Sequence, residues 1–100
     1  MDKEKVLNLL GLAMRAGKLV SGEELTLRDI RNHTAKVVFV ALDASENTKK
    51  KIKDKCSYYQ IPCDDSFEQS ELSQAIGRTR MIIGVNDQGF AKKLGELIKG

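Results

Sequence analysis

Val37-Val38-Phe39-Val40-Ala41-Leu42 is apolar at every position, and three of its six residues are β-branched. A strand with one wet face alternates apolar and polar residues, whereas an unbroken apolar run asks for cover on both faces. The stretch therefore predicts a central strand held between helical layers. Met81-Ile82-Ile83-Gly84-Val85 has the same character and predicts a second buried strand.

The segments on either side read as helices and short edge strands. Toward the N-terminus, Val6, Leu9, Leu10, Ala13 and Met14 recur at three- and four-residue spacing with Leu7 on the flank, which predicts a helix over 2–16. Asp2 is suited to cap its start, and Gly17 sits where a terminating glycine belongs. Leu19-Val20 reads as a very short strand broken by Ser21-Gly22. Glu23 and Glu24 then open a second helix, where the macrodipole favours acids. Ser21 followed by Glu24 fits a capping box with Ser21 as the N-cap. Leu27 and Ile30 supply that helix's inward face, Arg28 and Arg31 share another side, and the helix frays at Asn32-His33-Thr34.

Toward the C-terminus, Asp43 and Ser45 offer caps for a helix from Glu46 to Tyr59. Its apolar stripe is narrow (Thr48, Ile52, Cys56, Tyr59). Lys49, Lys50, Lys51, Lys53 and Lys55 cover the rest and read as a solvated face. Ile61-Pro62-Cys63 starts a short strand, with the proline placing it at an edge. Asp64 to Ser70 is a polar loop, and Glu71 to Ile76 a short helix ending at Gly77. Asn86 and Asp87 cap a last helix whose apolar face is Phe90, Ala91, Leu94, Leu97 and Ile98. Helices alternating with buried strands predict an α/β fold with a parallel or mixed sheet.

One hundred residues make one domain, 1–100. The net charge is +3, mildly basic and suited to a polyanionic partner. The charge is uneven: residues 1–55 carry 12 Lys/Arg against 8 Asp/Glu, and residues 56–100 carry 5 against 6. Any basic face should draw mainly on the first half. No apolar run approaches the roughly 18–20 residues needed to span a bilayer. Met1-Asp2-Lys3-Glu4-Lys5 leads into an amphipathic segment unlike a signal peptide, so a cytoplasmic chain without a membrane partner is expected. Cys56 and Cys63 match no zinc spacing, His33 is the single histidine, and two reduced thiols are expected.

Catalytic and cofactor signatures are missing. Gly11 to Lys18 fails as a phosphate-binding P-loop: five residues separate Gly11 from Gly17, Leu19 follows the lysine, and the segment before Gly11 is helical. The adjacent acids Glu23-Glu24 and Asp64-Asp65 diverge on any regular element and form no acid/base dyad. No catalytic residue, metal ligand or cofactor is expected. What remains is the segment Arg15 to Arg28. A glycine at a helix N-terminus lets another backbone approach, and the free N–H groups there attract anions such as phosphate. With ordinary helical dihedrals, Gly22 would be dispensable for folding.

Arg15-Ala16-Gly17-Lys18-Leu19-Val20-Ser21-Gly22, a helix carrying Arg28, and then Ala35-Lys36-Val37-Val38-Phe39-Val40-Ala41-Leu42-Asp43 resemble the family of the ribosomal RNA-binding proteins L7Ae and L30e. The resemblance continues through Cys56, Ile61-Pro62 and Glu71-Leu72-Ser73-Gln74-Ala75-Ile76-Gly77, covering nearly the whole chain. It implies a three-layer α-β-α sandwich with a four-stranded mixed sheet. It also implies a non-enzymatic, monomeric binder of structured RNA, a kink-turn or related internal loop, associated with the ribosome or translation. A Gly-x-Asn-Glu-x-x-Lys segment of the family lies where this chain has Gly22-Glu23-Glu24-Leu25-Thr26-Leu27-Arg28. Its glycine admits the RNA backbone, its polar pair reads guanine edges and its basic residue supports that readout. Glu24 and Leu25 depart from the pair: Leu25 cannot hydrogen-bond a base, and Glu24 lacks the donor of asparagine. A second family contact, an apolar loop packing on protruding bases, falls near Ile76-Gly77-Arg78. The expected RNA-binding set is thus Lys18, Gly22, Glu23, Glu24, Leu25, Arg28, Arg31 and Lys36 along one edge, with Ile76, Gly77 and Arg78 across from it. Two other readings use the same residues: a protein-interaction module docking through Leu25 and Ile76, and an RNA-targeting subunit for a separate RNA-modifying enzyme.

Overall fold

The computed structural model describes residues 1–99. Five helices and four strands follow one another as α1 (Lys3–Arg15), β1 (Leu19–Ser21), α2 (Glu23–Arg31), β2 (Val37–Val40), α3 (Glu46–Tyr58), β3 (Cys63–Asp64), α4 (Gln69–Ile76), β4 (Ile82–Val85) and α5 (Gln88–Lys99). The strands form one sheet in the order β1-β4-β2-β3. β4 runs antiparallel to both β1 and β2, and β2 runs parallel to β3, so the sheet is mixed. Helices α1, α4 and α5 pack together on one face, and α2 and α3 on the other. The three-layer α-β-α sandwich expected from the resemblance is the fold.

The two apolar runs occupy the two central strands. All four residues of β2 and all four of β4 are buried. Phe39 and Ile83, partners in the β2–β4 register, are fully buried. Val6, Leu10 and Ala13 from α1, Ile30 from α2, Ile52 and Cys56 from α3, Leu72 from α4 and Leu94 from α5 close the core from both sides. At about 25 cal/mol per Å² of apolar surface, this double-sided burial is the main force holding the layers. Where α1 crosses α4, Gly11 is needed for space: a Cβ there would lie 3.0 Å from the Ala75 carbonyl oxygen.

Several local expectations are corrected. The run 37–42 stops being a strand at Val40, and Leu42 is exposed as the chain turns toward α3. Ser45 caps α3, accepting from the Thr48 N–H at 3.2 Å. The Asp43 carboxylate instead accepts from the Gln69 N–H at 2.8 Å and so ties the start of α4. The loop over 64–70 is not wholly polar. Phe67 is 1% exposed and packs edge-on against Phe39, ring centroids 6.0 Å apart.

Candidate nucleic-acid interface

β1 is three residues long because Gly22 turns the chain sharply into α2. Gly22 has φ +95° and ψ 158°, a conformation essentially restricted to glycine. Its N–H donates to the Ile82 carbonyl at 2.8 Å, and its own carbonyl accepts the first helical bond, from the Thr26 N–H at 3.2 Å. Gly22 is therefore the N-cap, and no side chain caps α2. The expected capping box is absent. Ser21 is the last residue of β1, and its hydroxyl accepts from Arg80 Nε at 3.2 Å. The first-turn N–H groups of α2 thus lack a side-chain acceptor, which leaves a partial positive charge at this rim.

The loop joining α4 to β4 lies against this helix start. α4 ends at Gly77 in the left-handed conformation, φ +77°. Ser73 then holds the loop by donating to the Arg80 carbonyl at 3.1 Å and accepting from the Arg80 N–H at 2.9 Å. Arg80 reaches across to Ser21, and its Nε lies 4.0 Å from where a Cβ on Gly22 would be. An open pocket of about 330 Å³ separates the two segments, with Gly22, Glu23, Thr48, Arg80 and Met81 in its lining.

The expected residues divide into three groups. Gly22, Glu23, Glu24 and Leu25 form the helix start itself, with Leu25 44% exposed. Glu23 is engaged by Lys51 of α3 at 3.4 Å. Gly77 and Arg78 belong to the facing loop, and Arg78 is exposed. Ile76 does not: it is 6% exposed and part of the core, so it offers no surface to a base. The apolar side chain that the loop does present is Met81, 37% exposed and beside the pocket.

The remaining cations do not share that rim. The Lys36 N–H donates to the Val85 carbonyl at 2.7 Å, and the Lys18 carbonyl accepts from the Asn86 N–H at 3.0 Å. Both therefore lie at the end of β4 opposite Gly22, which is bonded to Ile82. Arg28 is folded back onto its neighbour, its Nε and Nη2 both 3.3 Å from Asp29 Oδ1. Asp29 is buried and also accepts from Asn86 Nδ2 at 3.3 Å. Arg31 is exposed at the far end of α2, with Nε 3.3 Å from the Leu27 carbonyl. The single cationic edge expected over 18–36 is therefore split between two ends of the molecule. Arg80, absent from the expected set, is the cation closest to Gly22. The doublet Arg78 and Arg80, flanking Thr79 just before a buried strand, is the signal that points to it.

The two cysteines are free and adjacent across α3 and β3. The neighbouring Cys63 thiol together with burial pushes the Cys56 thiol up. Among the described residues no cluster of His, Cys, Asp and Glu could hold a metal ion, and no helix is long and apolar enough to cross a membrane.

These features define a small α-β-α protein that presents an uncapped, glycine-led helix start beside a basic loop. The chain belongs to the ribosomal protein L7Ae/L30e/S12e/Gadd45 family, whose sequence profile matches residues 4–95. It is 62% identical over 99 residues to the RNA-binding protein YlxQ of Enterococcus faecium, covering 99% of this chain and 96% of that one. It is 50% identical over 91 residues to the RNA-binding protein YlxQ of Bacillus subtilis, covering 90% of this chain and 91% of the relative. A solved structure of a protein of unknown function from Bacillus halodurans superposes with a TM-score of 0.92 at 44% identity, covering 96% of this chain and 98% of the other.

Proposed function

We propose that this protein binds structured RNA without catalysing a reaction, gripping it between the start of α2 and the α4–β4 loop. The observation that carries the reading is Gly22. Its φ of +95° reserves the N-cap position for a residue with no side chain, and Arg80 stands beside it. An RNA backbone can approach such a rim closely enough for a phosphate to meet the first-turn N–H groups and the guanidinium together. Leu25 and Met81, both exposed, flank the rim and suit contact with unstacked bases. The names of the YlxQ relatives and the family's ribosomal members support an RNA partner. The finer reading is a cytoplasmic, monomeric, single-domain protein that takes a kink-turn or related internal loop and works with the ribosome or in translation.

The test is fluorescence anisotropy with a labelled kink-turn RNA. Replacing Arg78 and Arg80 together by glutamine should weaken binding by about 2 kcal/mol or more, since charge-assisted contacts are roughly twice as strong as neutral ones. Replacing Lys92 and Lys93 of α5 by glutamine should leave affinity within about twofold. Equal losses from the two pairs would mean that the rim is not the site.

A further inference from the structure

The far end of the α2–α3 layer carries a feature that the rim does not explain. His33, just past α2, packs edge-on against Tyr59 with ring centroids 5.3 Å apart. Tyr59 in turn meets Tyr58 edge-on at 4.9 Å, the ring planes at 79°. Tyr58 is 80% exposed, the most exposed large apolar side chain among the described residues. The contact with Tyr59 occupies only part of the Tyr58 ring, and at 80% exposure most of it is open to solvent. Core packing does not account for it, because a ring this exposed contributes little burial.

The surroundings of these rings are cationic. Lys55 precedes Tyr58 by three residues and Tyr59 by four, on the same side of α3. Lys36 reaches the cluster from the other side, its Nζ donating to the His33 carbonyl at 3.1 Å. Arg31, the last residue of α2 and two positions before His33, is exposed. Asp54 is the one acid within four positions of Tyr58 in the sequence. Exposed aromatic rings set among lysines and arginine match a stacking platform for unpaired nucleotides: each base has a π-face, and the cations follow the phosphates.

The platform lies at the other end of α2 from the proposed rim. α2 has nine residues, so at about 1.5 Å per residue its two ends are separated by about 13 Å. The helix leads directly from Gly22 to His33. Lys18 and Lys36, displaced from the rim, lie at this end. Resting on the RNA reading above, we propose that His33, Tyr58 and Tyr59 form a second contact that stacks single-stranded nucleotides flanking the structured element held at Gly22. This gives the two-ended distribution of cations a single purpose: one end holds a folded motif and the other holds its unpaired flank.

The sequence provides its own reporter. The chain has no tryptophan, and its two tyrosines are Tyr58 and Tyr59. Tyrosine emission from the intact protein therefore comes from this cluster alone. Three probes are titrated: a kink-turn RNA with blunt ends, the same RNA with a single-stranded uridine tail, and a free oligouridine. Affinities are read by anisotropy, and tyrosine emission is read with absorbance correction. The tailed RNA should quench the emission and the blunt RNA should not. Tyr58→Ala should bind the tailed RNA about tenfold more weakly and the blunt RNA equally well, as expected for loss of one base stack. Tyr58→Phe should retain the tail's contribution, since stacking uses the ring. Binding of the tailed RNA with unquenched emission and full affinity for Tyr58→Ala overturns the platform and leaves the rim standing. So does an equal loss on both RNAs. No binding of any probe overturns the RNA reading and the platform together.

Discussion

Gly22 joins conformation and function at one residue. Its dihedrals fall where a Cβ is strained whatever space surrounds it, and the nearest atom to such a Cβ is Arg80 Nε at 4.0 Å. Room is thus available and conformation is the obstacle. Gly22→Ala should cost about 1–3 kcal/mol of stability, the usual penalty for forcing a side-chain-bearing residue into such a region. Urea unfolding measures it, and an unchanged midpoint would show that the β1–α2 turn relaxes freely. Glu24 and Leu25 test the rim without that complication, because both are exposed and on the first turn of α2. Glu24→Asn combined with Leu25→Glu installs a donor and an acceptor in place of a carboxylate and an alkyl group. Affinity for a standard kink-turn should rise by about 1–3 kcal/mol, the worth of a bidentate base contact. No gain would separate this helix's readout from that of the family.

At the scale of elements, α2 sits on β4 through Thr26, whose methyl would be 3.2 Å from a Cβ on Gly84. The Thr26 hydroxyl is buried and has no hydrogen-bond partner among the described residues. Thr26→Val keeps the shape and removes the stranded hydroxyl. It should stabilise the protein by about 1 kcal/mol, raising the melting midpoint by about 4–8 °C. A lower midpoint would mean that the hydroxyl is satisfied in solution. The elements themselves were legible because their signals are repetitive: unbroken apolar runs for β2 and β4, and three- and four-residue spacing for α1 and α5. What escaped the sequence lacked repetition. Phe67 is a lone apolar residue among polar ones, and only the fold reveals that it reaches Phe39. Ser21 has the composition of a cap, but β1 pairs through Ser21 with Ile83, and the cap falls to Gly22. The resemblance implies a surface position for Ile76, but α4 turns it inward beside Leu72.

Across the whole molecule, the antiparallel placement of β4 between β1 and β2 decides which residues can act together. It brings Gly22 and Arg80 to one end of the sheet and Lys18 and Lys36 to the other. Residues adjacent in a motif are thereby separated, and residues 59 positions apart are joined by the Arg80–Ser21 bond. A sequence shows that a basic, glycine-marked segment exists, and strand direction decides which part of it faces one ligand. The central claim is that RNA lies across the rim between the start of α2 and the α4–β4 loop. The most direct measurement is a ¹⁵N–¹H correlation spectrum of the labelled protein titrated with a kink-turn RNA. The account predicts the largest amide shifts at Gly22 to Leu25 and at Arg78 to Met81, with the amides of α5 unmoved. Shifts concentrated in α1 and α5, with Gly22 and Arg80 silent, would contradict it.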